Sequence, residues 1–411
     1  MSNAQRIALQ ARYLFPVSAP PLAGGVATIE GERIVAIGRS APGDCECVQL
    51  GNVALLPGLI NAHTHLELSD AAAPLGTPNM AFPDWIRHVM TFRQGRKVDD
   101  ISPVKRGLTE SMRCGTTTVG EIAMPGWSPA EFDAAAIDAV IFLEAIGLTH
   151  ERVQEKLAEA EQHLAAPAVG NRRAGLSPHA PYSVRLELFD GLVARAAQAR
   201  APIAFHLAES REELQFLAAG DGPFRDMLQR LGVWDPAMIP RGTRPLNYLR
   251  RIAAARVQAL VIHGNYLDDD EIEFMARHRR TMSVVYCPRT HAYFGHARHP
   301  LPGLLAAGAN VALGTDSRAS NPDLNLLGEM RCVRREFGEL TSATVLELGT
   351  LRGAEGLGQA SSCGSLEPGK FANLAVVPLP DNDAADPHEL LWTAAPNGIK
   401  SMYRGRWRPN T

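Results

Sequence analysis

"PGLINAHTHLELSD", residues Pro57 to Asp70, guides the interpretation of the whole chain, because two histidines one residue apart follow a short apolar run. In a β-strand, residues i and i+2 point to the same face. His63 and His65 are therefore predicted to project together from the end of one buried strand. Imidazole nitrogens are common ligands of divalent ions such as zinc and iron. The pair thus predicts part of a metal site and requires further ligands from elsewhere.

The composition is that of an ordinary folded protein. The chain has 411 residues, of which 45% are apolar and 21% are charged, and its formal net charge is -3. This charge gives no basic surface for nucleic acid, and no apolar run reaches transmembrane length. No secretory leader is recognised either, so we expect a cytoplasmic protein with neither a membrane nor a nucleic-acid partner. The six cysteines contain no CxxC pair, which argues against a zinc finger or a disulfide framework.

Eight short apolar or β-branched runs alternate with amphipathic segments along the middle of the chain. These runs are Gly58–His63, Thr116–Glu121, Val140–Glu144, Arg173–Ser177, Pro202–Phe205, Ala259–Ile262, Thr281–Tyr286 and Asn310–Gly314. Repeated strand–helix units with continuously apolar strands are typical of a parallel sheet covered by helices. The sequence therefore predicts an α/β fold, a (β/α)8 TIM barrel.

The two ends of the chain have a different pattern, with short strand-like patches separated by glycine and proline turns. Examples are "GGVATIEGERIVAIG" before the first barrel strand and "GSLEPGKFANLAVVPL" after the last barrel helix. The simplest arrangement is a small β-sandwich domain built from both termini. The predicted domains are residues 1–56 and 364–411 for the two parts of the sandwich and residues 57–363 for the metal-dependent barrel. The long connection from Ser210 to Arg256 is expected to form a lid or an extra helical layer.

Most of the predicted strands end in a residue that can ligate a metal ion or transfer a proton. Barrel active sites lie at the end where strands lead into their following loops. His206 ends the fifth strand and Asp316 follows the eighth. Three imidazoles and one carboxylate suit a single divalent ion and leave one position for water. We therefore predict a metal site at His63, His65, His206 and Asp316.

Successive motifs resemble the amidohydrolase superfamily, in particular its cytosine deaminase/triazine hydrolase-like branch. The motifs are "PGLINAHTHLELS", "GTTTVGE", "SPHAPYSV", "FHLAES", "VIHGNYL", "CPRTHAYF", "LGTDSRASN" and "GSLEPGKFANLAVV". The resemblance implies the same fold and the same four metal ligands. It implies one metal ion, because the fourth strand lacks the lysine that bridges two ions in binuclear relatives. Zinc is the favoured ion and iron the alternative. A homodimer is expected by analogy with relatives.

The resemblance also implies a hydrolytic deamination. A divalent ion lowers the pKa of a bound water from near 15.7 to about 7, which provides a metal-bound hydroxide. Asp316, His263 and Glu209 are the implied catalytic residues. Asp316 would accept the water proton, His263 would stabilise the hydroxide, and Glu209 would protonate a ring nitrogen before ammonia leaves. The expected enzyme acts on C–N bonds other than peptide bonds, as a cyclic amidine deaminase.

Substrate contacts are expected from the same motifs. Trp85 would stack on a heterocycle, His179 and Glu209 would contact the ring or its sugar, and Arg289 and His291 would bind an acidic or carbonyl-bearing substituent. Because "HTHLE" is similar to the aminodeoxyfutalosine deaminases, the expected small-molecule substrate is of adenine-nucleoside type, such as aminodeoxyfutalosine. For Trp85 a place in the core, and for Arg289 and His291 pairing with surface carboxylates, are the structural alternatives.

Two departures from the adenosine-type pattern keep other functions open. Arg87 and His88 in "FPDWIRHVM" stand where such relatives have a substrate-binding acid, and His291 stands where many relatives have asparagine. One alternative is a chlorohydrolase or cyclic amidohydrolase of triazine- or pyrimidine-like rings. The other is a non-catalytic scaffold derived from such a hydrolase. The scaffold is disfavoured because all expected ligands and Glu209 are present.

Overall fold

The computed structural model describes residues 6–43, 45–96, 101–166, 170–394 and 398–409. Its strands are β1 (Arg6–Gln10), β2 (Tyr13–Leu14), β3 (Leu22–Ala23), β4 (Val26–Glu30), β5 (Arg33–Gly38), β6 (Glu46–Gln49), β7 (Val53–Pro57), β8 (Leu59–Thr64), β9 (Thr116–Ala123), β10 (Asp138–Ala145), β11 (Arg172–Pro178), β12 (Ile203–Leu207), β13 (Ala259–His263), β14 (Met282–Tyr286), β15 (Asn310–Leu313), β16 (Leu374–Pro378), β17 (Lys400–Tyr403) and β18 (Arg406–Trp407).

The helices alternate with the barrel strands and continue after the last of them. They are α1 (Phe82–Gly95), α2 (Pro103–Arg113), α3 (Pro129–Asp133), α4 (Arg152–Ala165), α5 (Leu186–Ala199), α6 (Arg211–Ala219), α7 (Pro223–Arg230), α8 (Pro245–Ala255), α9 (Asp269–Arg277), α10 (Pro288–Phe294), α11 (Leu301–Ala307), α12 (Leu326–Glu336), α13 (Ser342–Leu348), α14 (Leu351–Gly356) and α15 (Glu389–Thr393). Among the described helices, none combines the length and the apolarity that a membrane span requires.

The strands β8 to β15 form one parallel sheet in chain order, and they overlap all eight predicted runs. Their inward-facing side chains pack together as a buried cluster that includes Ile60, Val140, Leu260 and Val285. Apolar side chains on both faces of a strand explain why these runs are continuously hydrophobic. The predicted (β/α)8 barrel is therefore confirmed.

The first and last barrel strands meet through side chains as well as backbone. An isolated parallel bridge joins Thr64 to Asp316. Below it, the amide nitrogen of Asn61 donates to Thr315 Oγ1 at 2.8 Å, and the backbone N–H of Thr315 donates to Asn61 Oδ1 at 3.0 Å. Gly314 permits the close approach, because an added Cβ there would lie 2.7 Å from the Cβ of His63. We call this junction of β8 with residues 314–316 the closing seam.

Two additional sheets are formed outside the barrel: one of N-terminal strands alone, in the order β5-β4-β1-β6, and one from both ends of the chain, in the order β18-β17-β16-β7-β2-β3. Leu9, Ile29, Leu55 and Leu374 belong to the apolar cluster between them. The antiparallel pairing of β7 with β16 joins the N-terminal part to the C-terminal part. The predicted terminal β-domain is thus present. We propose that residues 1–56 and 364–411 form the terminal β-domain and that residues 57–363 form the barrel domain. The outer limits 1 and 411 lie outside the described residues.

The connection from Ser210 to Arg256 contains the helices α6, α7 and α8, as expected for an extra helical layer. Phe224 of α7 stacks on Tyr182 with a ring-centroid distance of 4.0 Å and lies 6.3 Å from Phe82 of α1. Aromatic contacts of this kind favour close packing of the elements that carry them. The helices α1 and α7 therefore cover one side of the barrel mouth.

Candidate active site

The four predicted metal ligands lie together at the mouth of the barrel. The Nε2 atoms of His65 and His206 are 3.3 Å apart. Oδ1 of Asp316 is 3.5 Å from Nε2 of His63 and 3.8 Å from Nε2 of His65. Ligand atoms arranged as a tetrahedron about 2.1 Å from a common ion are separated by roughly 3.4 Å. These three distances suit neighbouring ligands of one divalent cation. The ligand atoms of His63, His65 and His206 lie within 4.8 Å of one another, and those of His63, His263 and Asp316 form a second such group.

The hydrogen bonding of the histidines also fits a metal ion. Both ring nitrogens of His63 are buried and have no hydrogen-bond partner among the described residues. Nδ1 of His206 lies 2.9 Å from the backbone oxygen of His179, so the proton on Nδ1 leaves the Nε2 lone pair facing the cluster. Burial lowers the pKa of His206 to about 3 and also lowers the pKa of His65. Neutral imidazole is the form that binds metals.

Two predicted proton-transfer groups lie beside this cluster. Nε2 of His263 is 3.3 Å from Oε1 of Glu209, and both side chains are buried. Burial raises the pKa of Glu209, and the nearby carboxylates of Asp316 and Glu213 raise it further. His263 also has a ring nitrogen within 4.8 Å of the ligand atoms of His63 and Asp316. The arrangement places a carboxyl group whose pKa is raised next to an imidazole whose pKa burial lowers.

The position of Glu209 depends on Glu213, which the sequence reading did not single out. The backbone N–H groups of Ala208 and Glu209 donate to the Glu213 carboxylate at 2.8 and 2.9 Å. The sequence signal that could have identified Glu213 is the S-x-x-E pattern from Ser210 to Glu213, which is typical of a capping box at a helix start. Ser210 does accept from the N–H of Glu213 at 3.2 Å. The glutamate, however, reaches the two residues before the cap and fixes the turn that carries Glu209.

Three strand ends at this mouth have left-handed backbone conformations. The φ angles are 55° for Ala208, 68° for His263 and 56° for Asp316. Non-glycine residues rarely adopt this conformation, and it is concentrated at functional sites. Each sharp turn ends strand pairing and directs the adjacent side chains into the mouth.

A cavity of about 340 Å³ opens onto the cluster. Its apolar wall comes mainly from α1 and α7, and Trp85 lies in this wall, stacked on Phe82 at a centroid distance of 5.5 Å. The indole N–H of Trp85 donates to the backbone oxygen of Ala319 at 3.1 Å, which fixes the ring. His179 lies on the polar side, with Nδ1 2.7 Å from Ser183 Oγ. Both side chains are placed to contact a ligand.

Arg289 and His291 do not line this cavity. The guanidinium of Arg289 donates from Nε to Glu329 at 2.6 Å and from Nη2 to Asp323 at 2.7 Å. Nε2 of His291 is 2.8 Å from the backbone oxygen of Ala297. These polar atoms are engaged by the protein, so the substrate contacts of Arg289 and His291 stay a prediction from the sequence that the cavity lining does not support. The contacts of Arg289 match the structural alternative, which was pairing with carboxylates. Its main partner is the buried Glu329.

Two charged residues that the sequence reading left out do line the cavity. Arg93 of α1 pairs with Glu67, with Nη2 2.5 Å from Oε1. Glu144 is near the end of β10, and one of its oxygens lies 3.8 Å from Nε2 of His179. The available sequence signal for Glu144 is its place at the end of a predicted barrel strand, because polar residues at such ends are expected at the mouth. No local pattern distinguished Arg93.

Comparisons with known proteins find deaminases among the proteins that this chain is similar to. The chain is 28% identical over 352 residues to the 5-methylthioadenosine/S-adenosylhomocysteine deaminase of Haloarcula marismortui, with 82% of this chain and 76% of that protein covered. It is 28% identical over 342 residues to the aminodeoxyfutalosine deaminase of Deinococcus radiodurans, with 76% of each covered.

A solved structure of an adenosine deaminase from Xanthomonas campestris with bound zinc superimposes with a TM-score of 0.80 at 25% identity, covering 98% of this chain and 92% of that one. The sequence profile of the amidohydrolase family matches residues 54–405, which include all four clustered ligands and the whole barrel, but not β1 to β6 of the terminal β-domain. The chain therefore belongs to the amidohydrolase family.

Proposed function

We propose that this protein is a metal-dependent hydrolytic deaminase of an adenine-nucleoside-type substrate, with zinc as its metal. The observation that carries the proposal is the buried Glu209, with its raised pKa, beside two overlapping groups of possible ligands, one of His63, His65 and His206 and one of His63, His263 and Asp316. The deaminase names of the relatives from Haloarcula and Deinococcus support the reaction and the substrate class. A cytoplasmic location and a homodimer stay predictions from the sequence.

The ion would be held by His63, His65, His206 and Asp316. When bound, a divalent ion supplies a water of lowered pKa, about 7, at the cavity floor. Ser320 orients the carboxylate of Asp316, because the Ser320 hydroxyl donates to Oδ2 of Asp316 at 3.0 Å. This leaves Oδ1 facing the histidines.

Side chains of the protein then donate and accept the protons of the reaction. Glu209 holds its proton because burial disfavours its anion, so it can donate to a ring nitrogen and make the adjacent carbon electrophilic. Asp316 accepts a proton from the attacking water, and His263 is in hydrogen-bond reach of the same region. The net change replaces the C–N bond between the ring carbon and its amino group by a C–O bond, and the ring stays intact. One hydrogen of the water leaves with the amino group as ammonia, and the other stays on the product.

The cavity suits an aromatic heterocycle. Trp85 and the apolar residues of α1 and α7 provide a flat hydrophobic wall, and the polar groups lie on the opposite side. A volume of about 340 Å³ lies in the ordinary range of small-molecule pockets. His179 borders the ring-binding region, since its ring centroid lies 4.8 Å from that of His206.

The substitution Glu209→Gln tests the proposal. General acid–base catalysis contributes about 10²–10⁴-fold, so we expect kcat to fall by that factor while the metal content stays unchanged. The assay is ammonia release from aminated purines, purine nucleosides, pyrimidines and triazines, with metal analysis on the same sample. Glu212→Gln is the matched control, because Glu212 is on α6 but does not line the cavity.

Near-normal turnover in Glu209→Gln would show that the proton assignment is wrong. Chloride release from a chlorinated triazine, without ammonia from any nucleoside, would favour the chlorohydrolase alternative. A metal-free and inactive wild-type protein would favour the scaffold.

A further inference from the structure

Glu144 is a buried carboxyl group that no described residue satisfies. Its side chain is 3% exposed, yet it lines the cavity. Oε2 is fully buried and has no hydrogen-bond partner, and the other oxygen is 3.8 Å from Nε2 of His179, which is beyond hydrogen-bond distance. Most buried polar atoms have a partner, since leaving one unpaired is costly. Oε1, which is not among the fully buried atoms, is the oxygen that a ligand group in the cavity could reach, and its lack of a close partner indicates such a group.

The surroundings of Glu144 identify the kind of group. Burial raises the pKa of Glu144 to about 7, while the charge of Arg93 opposes this rise and that of Glu67 adds to it. Arg93 lines the same cavity, so its positive charge disfavours a cationic substituent near Glu144. A neutral hydrogen-bond donor such as a hydroxyl is the group that suits this environment.

The position of Glu144 relative to the metal cluster indicates which part of the substrate lies beside it. Three carboxylates line the cavity; Asp316 belongs to the cluster, and Glu209 lies beside it. Glu144 is separated from the cluster by His179, whose ring lies 4.8 Å from His206. If the amino-bearing edge of a ring reacts at the cluster, a substituent on another part of that ring would lie beside Glu144 and His179.

We propose that Glu144 determines specificity by accepting a hydrogen bond from a sugar hydroxyl of the nucleoside, with His179 beside it. This inference rests on the proposed function. Nδ1 of His179 is held by Ser183 at 2.7 Å, so Nε2 is left facing the Glu144 side of the cavity. The two side chains together can meet adjacent hydroxyls, while Trp85 contacts the base.

The test compares kcat/KM for adenosine, 2′-deoxyadenosine, 3′-deoxyadenosine and 2′,3′-dideoxyadenosine. A hydrogen bond to a charged group corresponds to about 10–100-fold in kcat/KM, so the wild-type enzyme should prefer adenosine to at least one monodeoxy analogue by this factor. In Glu144→Ala the preference should fall to near unity. In Glu144→Gln it should be intermediate, because the amide oxygen still accepts. The rate with 2′,3′-dideoxyadenosine, which lacks both hydroxyls, is the internal reference and should fall less than the rate with adenosine in both variants.

Each other outcome has a definite meaning. A wild-type enzyme that deaminates all four nucleosides equally overturns the inference, and so does a Glu144→Ala variant that keeps the preference. Equal loss of activity on all four substrates, with metal content retained, also overturns it, because the residue would then act through structure. If no nucleoside releases ammonia but another aminated ring does, the proposed substrate class itself fails, and the inference fails with it.

Discussion

Replacing Gly314 with alanine is expected to remove metal binding by displacing His63. An alanine Cβ at this position would lie 2.7 Å from the Cβ of His63 and 3.0 Å from both the backbone oxygen of His63 and Cγ1 of Val285. Carbon atoms in contact are normally about 3.5–4.0 Å apart, so one side must retreat by about 1 Å. Metal–ligand distances tolerate only about 0.2 Å. The variant should therefore lose His63 as a ligand.

The same clash should lower the stability of the metal-free protein. Overpacking in a close-packed interior costs about 1–3 kcal/mol in the free energy of unfolding. The two measurements are metal per chain after gel filtration and urea unfolding of the metal-free protein. Gly338→Ala is the matched control, because the nearest atom to its added Cβ is 3.8 Å away. It should bind metal fully and change the unfolding free energy by less than about 0.5 kcal/mol.

A Gly314→Ala variant with full metal content and unchanged stability would refute the reasoning. It would show that the closing seam can open by 1 Å without moving His63. A variant that is destabilised but still binds metal fully would separate the two effects and refute only the link between the seam and the metal site.

Two further predictions concern buried polar groups. Arg289→Met leaves the buried Glu329 without its cation, so the unfolding free energy should fall by about 3–5 kcal/mol. The kcat/KM of the folded fraction should stay at the wild-type value, and a raised KM at normal stability would restore a substrate role for Arg289. Asn61→Ala removes the partner of the buried N–H of Thr315, and urea unfolding should show a loss of about 1–3 kcal/mol; an unchanged midpoint and slope would mean that the seam does not need this bond.

The strands and the metal cluster could be predicted because they depend on local patterns. A barrel strand is buried on both faces, so its continuous apolar run is visible in the sequence, and the residue at its end is then assigned to the mouth. His206 and Asp316 follow from this rule although they are far from His63 along the chain. The four ligands come together because each occupies the corresponding end of a parallel strand.

The contacts of Arg289 and the missing partner of Glu144 could not be predicted from the local sequence, although the strand-end rule does point to Glu144 as a residue of the mouth. Arg289 is engaged by Glu329, which lies 40 positions away on another helix, so nothing near Arg289 in the sequence excludes it from the cavity. Glu144 is notable for lacking a partner, and a missing contact has no sequence pattern. The hydrogen bonds between Asn61 and Thr315, which span 254 positions, likewise arise only when the barrel closes.

The pairing of β7 with β16 has a consequence for the protein during its synthesis. Leu55 pairs with Val376, which the ribosome adds roughly 320 residues later, and at about 5–20 residues per second that delay is on the order of 15–60 s. For this interval β7 has one edge without its neighbour, and an unpaired strand edge is a template for aggregation. The nascent chain therefore needs protection from other chains until the final strands emerge.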